Sequence, residues 1–135
     1  VPASCARVEG AVLEAVAARP AGRLSGGERA RLRLGRAVAG RAPYLLADEP
    51  VAALDPAHAL DVMKALRLLA ENGCCVVLVL HDLLLATRFC DHLVMMTEGT
   101  VRYIVPAREL TEMMAQQIYG VKVRRIEDAL VPWSE

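Results

Sequence analysis

Ser25-Gly26-Gly27-Glu28 and Asp48-Glu49 are the residues of this 135-residue chain whose types and spacing could do chemistry. Ser25 and Glu28 form S-x-x-E, the pattern of a capping box, which predicts a helix over about residues 26–39. The box leaves both glycines unexplained, because a glycine inside a first helical turn costs up to about 1 kcal/mol relative to alanine. Bare backbone at a helix N-terminus, with unpaired N–H groups and the positive end of the dipole, accommodates a phosphate closely, and a serine hydroxyl adds a donor. On this segment alone, cap and phosphate seat both stand.

The second pair of residues is read in the same way. Leu45-Leu46-Ala47 is a short apolar run between Pro43 and Pro50, which predicts a buried strand of a parallel sheet. Two acids at the end of such a strand are costly unless employed. Asp48 suits a direct or outer-sphere ligand of Mg²⁺, which prefers oxygen and keeps several waters. Glu49, one residue later and aimed elsewhere, can orient or deprotonate an attacking water; the alternative is an exposed acidic turn that closes a strand. A phosphate-cradling G-x-x-x-x-G-K-[ST] loop needs a lysine after glycine, whereas the only lysines, Lys64 and Lys122, follow Met63 and Val121. That Walker A loop is absent from these residues.

The elements that must position these groups follow from periodicity. A helix is expected over residues 7–18, ended by Pro20 and Gly22, then the Ser25 helix, then a strand over 44–47. Residues 59–71 place Ala59, Val62, Met63, Leu66, Leu69 and Ala70 on one stripe, with Asp61, Lys64, Arg67 and Glu71 opposite and Gly73 closing the helix. The next apolar run predicts a second parallel strand over 75–80. A right-handed crossover puts Asp48-Glu49 and His81 at the same sheet end, where open α/β sheets bind ligands. Beyond it we expect a helix over 82–89, strands over 92–96 and 101–105 joined at Glu98-Gly99, a helix over 107–119 broken at Thr111, an edge strand over 121–126 and a loose end from Val131.

Leu24 to Glu28, Asp48-Glu49-Pro50, Ala53-Leu54-Asp55-Pro56 and Val79-Leu80-His81-Asp82 resemble, in order, the signature motif, Walker B, D-loop and H-loop of ABC-type ATPases. The resemblance implies an α/β fold, part of a P-loop NTPase domain with a parallel sheet core, flanking helices and a C-terminal hairpin. Residues 1–40 would end the helical subdomain with the signature helix, 41–105 would run from Walker B to the H-loop core, and 106–135 would form a C-terminal extension. It implies ATP and Mg²⁺ as cofactors, Asp48 as the metal residue, and Glu49 and His81 as catalytic residues, general base and γ-phosphate contact respectively. Ser25, Gly26, Gly27 and Glu28 would serve a nucleotide held by a second ATPase subunit, and Asp55 would sit at the dimer seam. Leu46 to His58 and Tyr119 to Val123 are similar to ATPases that energise import of iron-siderophore, haem and cobalamin. Transmembrane permease subunits would then be partners, and the chain would lie in the cytoplasm, peripheral on the inner face of the membrane and attached only through them.

Two departures from the family pattern are mild: Ala53 stands where many members carry serine, and Leu80 where a small hydroxyl residue often precedes the histidine. The glutamine that couples to the permease is expected upstream of the signature, yet the only glutamines are Gln116 and Gln117.

Composition agrees with a piece of a cytoplasmic α/β protein. With 55% apolar residues and zero formal net charge, the chain has material for one core and no electrostatic case for nucleic acid. Arg29, Arg31, Arg33, Arg36 and Arg41 read as a solvated helix face. The apolar run from Cys74 to Leu80 is far shorter than the roughly 20 residues of a membrane span, and no signal peptide opens the chain. Cys5, Cys74, Cys75 and Cys90 lack metal-ligand spacing and are expected as reduced thiols in or near the core; Met95, Met96, Met113 and Met114 are expected as core or interface filling. His58 falls in the first turn of its helix and His92 at the start of a strand, neither with a role.

Three functional readings are compatible with these motifs: the C-terminal part of an importer ATPase, a truncated subunit that offers its signature in trans, and an ABC-type ATPase of DNA maintenance. The last predicts a long heptad coiled coil leading into the signature, and Pro20, Gly22 and the short upstream helix argue against it.

Overall fold

The structure, a computed structural model, describes residues 42–127 and 129–133, together with 28, 29, 32 and 34–36. Glu28, Arg29, Leu32 and residues 34–36 are helical, as the signature segment predicts. Ser25, Gly26, Gly27, Cys5 and the helix expected over 7–18 lie outside the described residues. The chain divides into two compact units, Val1–Val79 and Leu80–Glu135.

In the first unit, β1 (Tyr44–Asp48) and β2 (Cys75–Val79) pair in parallel, in register from Tyr44 opposite Cys75 to Asp48 opposite Val79. Parallel partners need a crossover, supplied by α1 (Pro56–Glu71), which packs on β2. Its buried stripe is the one the periodicity picks out: Ala59, Val62, Met63, Leu66 and Leu69, with Met63 and Leu66 almost fully enclosed. The helix begins three residues before the expected start because Asp55 caps it. One Asp55 carboxylate oxygen accepts from the backbone N–H of Ala57 and of His58, both at 3.1 Å, and Pro56 occupies the position where a missing N–H does no harm. At the other end the Asn72 side-chain amide donates to the Leu68 carbonyl at 2.6 Å, and Gly73 turns the chain out with φ +90°.

The expectation of a fully buried strand is corrected here. Alternation sends Leu45, Ala47, Val76 and Leu78 to the half-buried face, while Tyr44 and Leu46 remain 68% and 78% exposed and Val77 and Val79 50% each. Cys75 shares that open side and is exposed rather than packed in or near a core; Cys74 is half-buried.

The second unit contains α2 (Leu83–Phe89), the hairpin β3 (His92–Thr97) and β4 (Thr100–Pro106), a 3₁₀ turn (Ala107–Glu109), α3 (Glu112–Tyr119), and a second hairpin, β5 (Val123–Ile126) and β6 (Ala129–Pro132). Glu98 and Gly99 both take positive φ, +49° and +73°, which a two-residue turn matching strand twist requires. Thr111 breaks the expected 107–119 helix by capping α3, its hydroxyl accepting from the Met114 N–H at 3.2 Å, and Gly120 ends α3 in the left-handed conformation at φ +68°. Leu83, Leu93, Met95, Ala107, Leu110, Ala115, Val123 and Leu130 form the core. Met95 is buried, but Met96 and Met113 are exposed, because the strand and helix periods turn them away from that core.

Of the end expected to be loose, Val131 and Pro132 instead belong to β6, whose Leu130 is at 0% exposure, and Ser134 and Glu135 lie outside the described residues. The pairing of β6 with β5 extends to Trp133, whose N–H donates to the Lys122 carbonyl at 2.9 Å, and the Arg124 guanidinium lies 5.0 Å over the Trp133 ring.

The open β1–β2 face predicts self-association of the isolated chain. Sedimentation velocity should show species larger than a monomer, and a sharp monomer with cooperative thermal unfolding would contradict it. The Asp55 cap predicts an acid transition. The hydrogen-bonded His58 side chain first, then the His58 N–H, hold the Asp55 carboxyl below its ordinary 3.8. The cap is therefore complete above that pH and is lost as pH falls through the lowered value. Exchange of the Ala57 and His58 amides should accelerate in acid, and in Asp55→Ala should be fast at neutral pH as well.

Candidate functional site

Asp48 is the last residue of β1, opposite Val79 at the carboxyl end of the parallel pair, and its side chain shares the open face with Tyr44 and Leu46. Glu49 continues the ladder by one bond, its N–H donating to the Val79 carbonyl at 3.0 Å, and then leaves the strand with φ +46°. A left-handed glutamate breaks the alternation, so the two acids do not simply point to opposite faces. Two turns follow, closed by Ala52 N–H to Glu49 carbonyl at 3.1 Å and Leu54 N–H to Val51 carbonyl at 3.2 Å, with Ala53 at φ +61°. Left-handed conformations at non-glycine residues cost roughly 1–2 kcal/mol each, and two within five residues mark a loop whose path is imposed by its ends. Those ends are the β1 ladder and the Asp55 cap.

Asp55 is locked more tightly than an ordinary cap. One oxygen serves the helix N–H groups and the other bonds His58 Nδ1, so the carboxylate is engaged on both sides. Sequence reasoning left His58 without a role; the signal that could have found it is its spacing of three residues after a capping aspartate. Nothing in the sequence announces the left-handed Ala53, since a glycine would ordinarily stand there.

Among the described residues, no three His, Cys, Asp or Glu side chains converge as a metal cage. Mg²⁺ is commonly held by one or two carboxylates plus phosphate oxygens and water, so a single carboxylate at a strand end would suit it. Asp48 is exposed and sits at the strand end such a site needs.

His81 lies two residues past β2 and belongs to the second unit, immediately before Asp82. Asp82 caps α2, its carboxylate accepting from the Leu85 N–H at 3.0 Å. The structure thus joins Asp48 at the end of β1 to Asp55 by one short loop that begins at Glu49, and sets His81 at the entry of a capped helix. Glu28 is helical and half-buried, while Ser25, Gly26 and Gly27 lie outside the described residues. A cavity of about 790 Å³ in the second unit, lined by residues including Cys90, His92, Arg108 and Arg125, contains none of the residues expected to handle phosphate.

Residues 6–52 match the ABC transporter family. The chain is 46% identical over 114 residues to the hemin import ATP-binding protein HmuV of Rhodococcus jostii, covering 84% of this chain and 39% of that protein. It is 44% identical over 109 residues to the phosphonates import ATP-binding protein PhnC of Maricaulis maris, covering 80% and 41%. It therefore spans about two fifths of the length of these curated relatives. Among solved structures, an inward-facing transporter assigned to the metal-chelate ABC type matches in fold with a TM-score of 0.79 at 22% identity, over 96% of this chain and 57% of that one. A dimeric ATP-binding cassette in a post-hydrolysis state with ADP and Pi matches with a TM-score of 0.63 at 33% identity, over 78% and 45%. The ordered motifs, the parallel strand pair that ends in Asp48-Glu49 and these likenesses agree, and the chain belongs to the ABC transporter ATPase family, carrying part of its P-loop NTPase domain.

Proposed function

We propose that the chain is the C-terminal part of an ATP-hydrolysing subunit that energises import of an iron-chelate, haem or cobalamin-type substrate. The observation that carries the ATPase reading is the carboxyl end of β1, where Asp48 closes the parallel pair and Glu49 leaves it in a left-handed turn. Asp48 would hold Mg²⁺, whose charge neutralises phosphate oxygens when it is bound. Glu49 would orient the attacking water and accept its proton, and His81 would contact the γ-phosphate. Ser25, Gly26, Gly27 and Glu28 would approach a nucleotide held by a second ATPase subunit, with Asp55 at the seam between them. Residues 1–40 would complete the helical subdomain, 41–105 the core and 106–135 the extension.

The import direction is supported by relatives named for hemin and for phosphonates. The narrower cargo rests on Leu46 to His58 and Tyr119 to Val123, the segments similar to iron-chelate and cobalamin importers. Permease subunits would be the membrane partners, and the subunit would sit on the cytoplasmic face; no described helix is long and apolar enough to cross a membrane.

A second reading concerns the signature, which the family resemblance places across a seam from the nucleotide it serves. On this reading the chain would offer its signature across the seam to a complete partner and hydrolyse nothing at a site of its own.

Three outcomes are expected. In a cassette completed with the N-terminal part of the Rhodococcus jostii relative, Glu49→Gln should lower turnover by about 10²–10⁴-fold while ATP binding persists, because glutamine keeps the shape and cannot take the proton; activity within a few-fold of the unsubstituted cassette would exclude the role. The isolated chain should bind Mg-ATP no better than about millimolar, roughly −4 kcal/mol, since the amides and lysine of a Walker A loop supply most phosphate binding; micromolar binding by calorimetry would refute this. Mixed with a complete subunit whose own signature serine is changed to arginine, the chain should restore part of the ATPase activity if Ser25 and Gly27 act across the seam. No restoration would remove the trans-acting reading.

A further inference from the structure

We propose that the C-terminal segment from Thr111 to Pro132 is a positioning element for His81, holding the first turn of α2 in place and with it the residue at its entry. The inference rests on the γ-phosphate role proposed for His81, and its physical basis is local.

His81 stands one residue before the α2 cap, so its place depends on how firmly α2 is held. A helix of seven residues is too short to persist by its own hydrogen bonds, since isolated helices below about 12–15 residues are marginal in water. Its stability must come from packing, and the C-terminal segment supplies that packing at three points. Leu83, two residues after His81 and 4% exposed, joins Ala115, Val123 and Leu130 in the core. The Thr87 hydroxyl donates to the Leu83 carbonyl at 2.8 Å and accepts from the Leu130 N–H at 3.3 Å, so one buried side chain ties the α2 backbone to the β6 backbone. Tyr119, the last residue of α3, feels the cap electrostatically: burial first, then the charge of Asp82, raise its hydroxyl above the ordinary 10.0.

The three points are unequal in kind. Leu83 is apolar packing that any core would provide. The Thr87 hydroxyl bonds carbonyls of the first turn of α2, and burial of apolar surface does not explain that hydrogen bonding.

The test combines two readouts. In this chain, Thr87→Val keeps the side-chain shape and removes the acceptor for the Leu130 N–H, and Tyr119→Ala removes the partly exposed ring that feels the cap. The Leu85 and Ala86 amides, which bond to the Asp82 side chain and carbonyl at 3.0 Å each, should exchange at least about tenfold faster in both variants, with α1 unchanged. Exchange detected by mass spectrometry tolerates self-association, and Tyr119→Ala carries the test if Thr87→Val does not fold. In the completed cassette both variants should lower kcat several-fold and leave KM for ATP within about twofold, the split expected when a transition-state contact and not binding is weakened. Unchanged exchange at Leu85 and Ala86 would overturn the proposal, and so would faster exchange with an unaltered kcat. A completed unsubstituted cassette that hydrolyses nothing, with exchange responding as expected, would count against the ATPase reading and leave the link between the segment and α2 standing.

Discussion

Parallel pairing of β1 with β2 is the constraint from which the candidate site follows. Parallel neighbours cannot be joined by a tight turn, so the chain must leave β1 at its carboxyl end, cross over and re-enter from the other end. That requirement produces the loop from Glu49 to Asp55, the 16-residue helix α1 and the turn at Gly73. It also explains why the two acids stand where they do. Asp48 is the last residue the ladder can hold, and Glu49 is bonded to Val79 on one side and already turning on the other. The left-handed conformations at Glu49 and Ala53 are the local cost of reaching the Asp55 cap in so few residues.

Capping by polar side chains recurs at each helix start in the described region and does more than satisfy N–H groups. Asp55, Asp82 and Thr111 each fix where a helix begins, and two of the three lie in or beside the candidate site. At Asp55 the cap is reinforced by His58, which explains why its carboxyl stays ionised further into acid than a free aspartate. In the second unit, helices of seven and eight residues survive because a core made from α2, α3 and two hairpins encloses their apolar faces.

The exposed apolar surface has a plain physical meaning. Leu46 and Val77 in the first unit, and Val94 and Ile104 in the second, belong to strands whose other faces are covered. Strands with one face bare and apolar are what part of a larger sheet presents, and the chain spans about two fifths of the length of its curated relatives.

By itself, the sequence determined the order of motifs, the parallel α/β core, the buried stripe of α1 and the Glu98-Gly99 hairpin. Each is written in local chemistry: an acid at a strand end, a period of 3.6, a glycine where φ must be positive. The place of Asp48 at the end of a parallel strand was legible for the same reason. The tertiary structure alone decided what long-range contact controls. It decided that one face of β1–β2 stays open, that Cys75, Met96 and Met113 face outward, and that His58 closes on Asp55. It also decided that Val131 and Pro132 join Ala129 and Leu130 in β6, with Leu130 fully enclosed. A four-residue strand carries too little periodic signal to be read, and it is stable only because β5, α2 and the core residues surround it. The left-handed Ala53 belongs to the same class, since alanine does not announce positive φ and only the fixed ends of its loop require it.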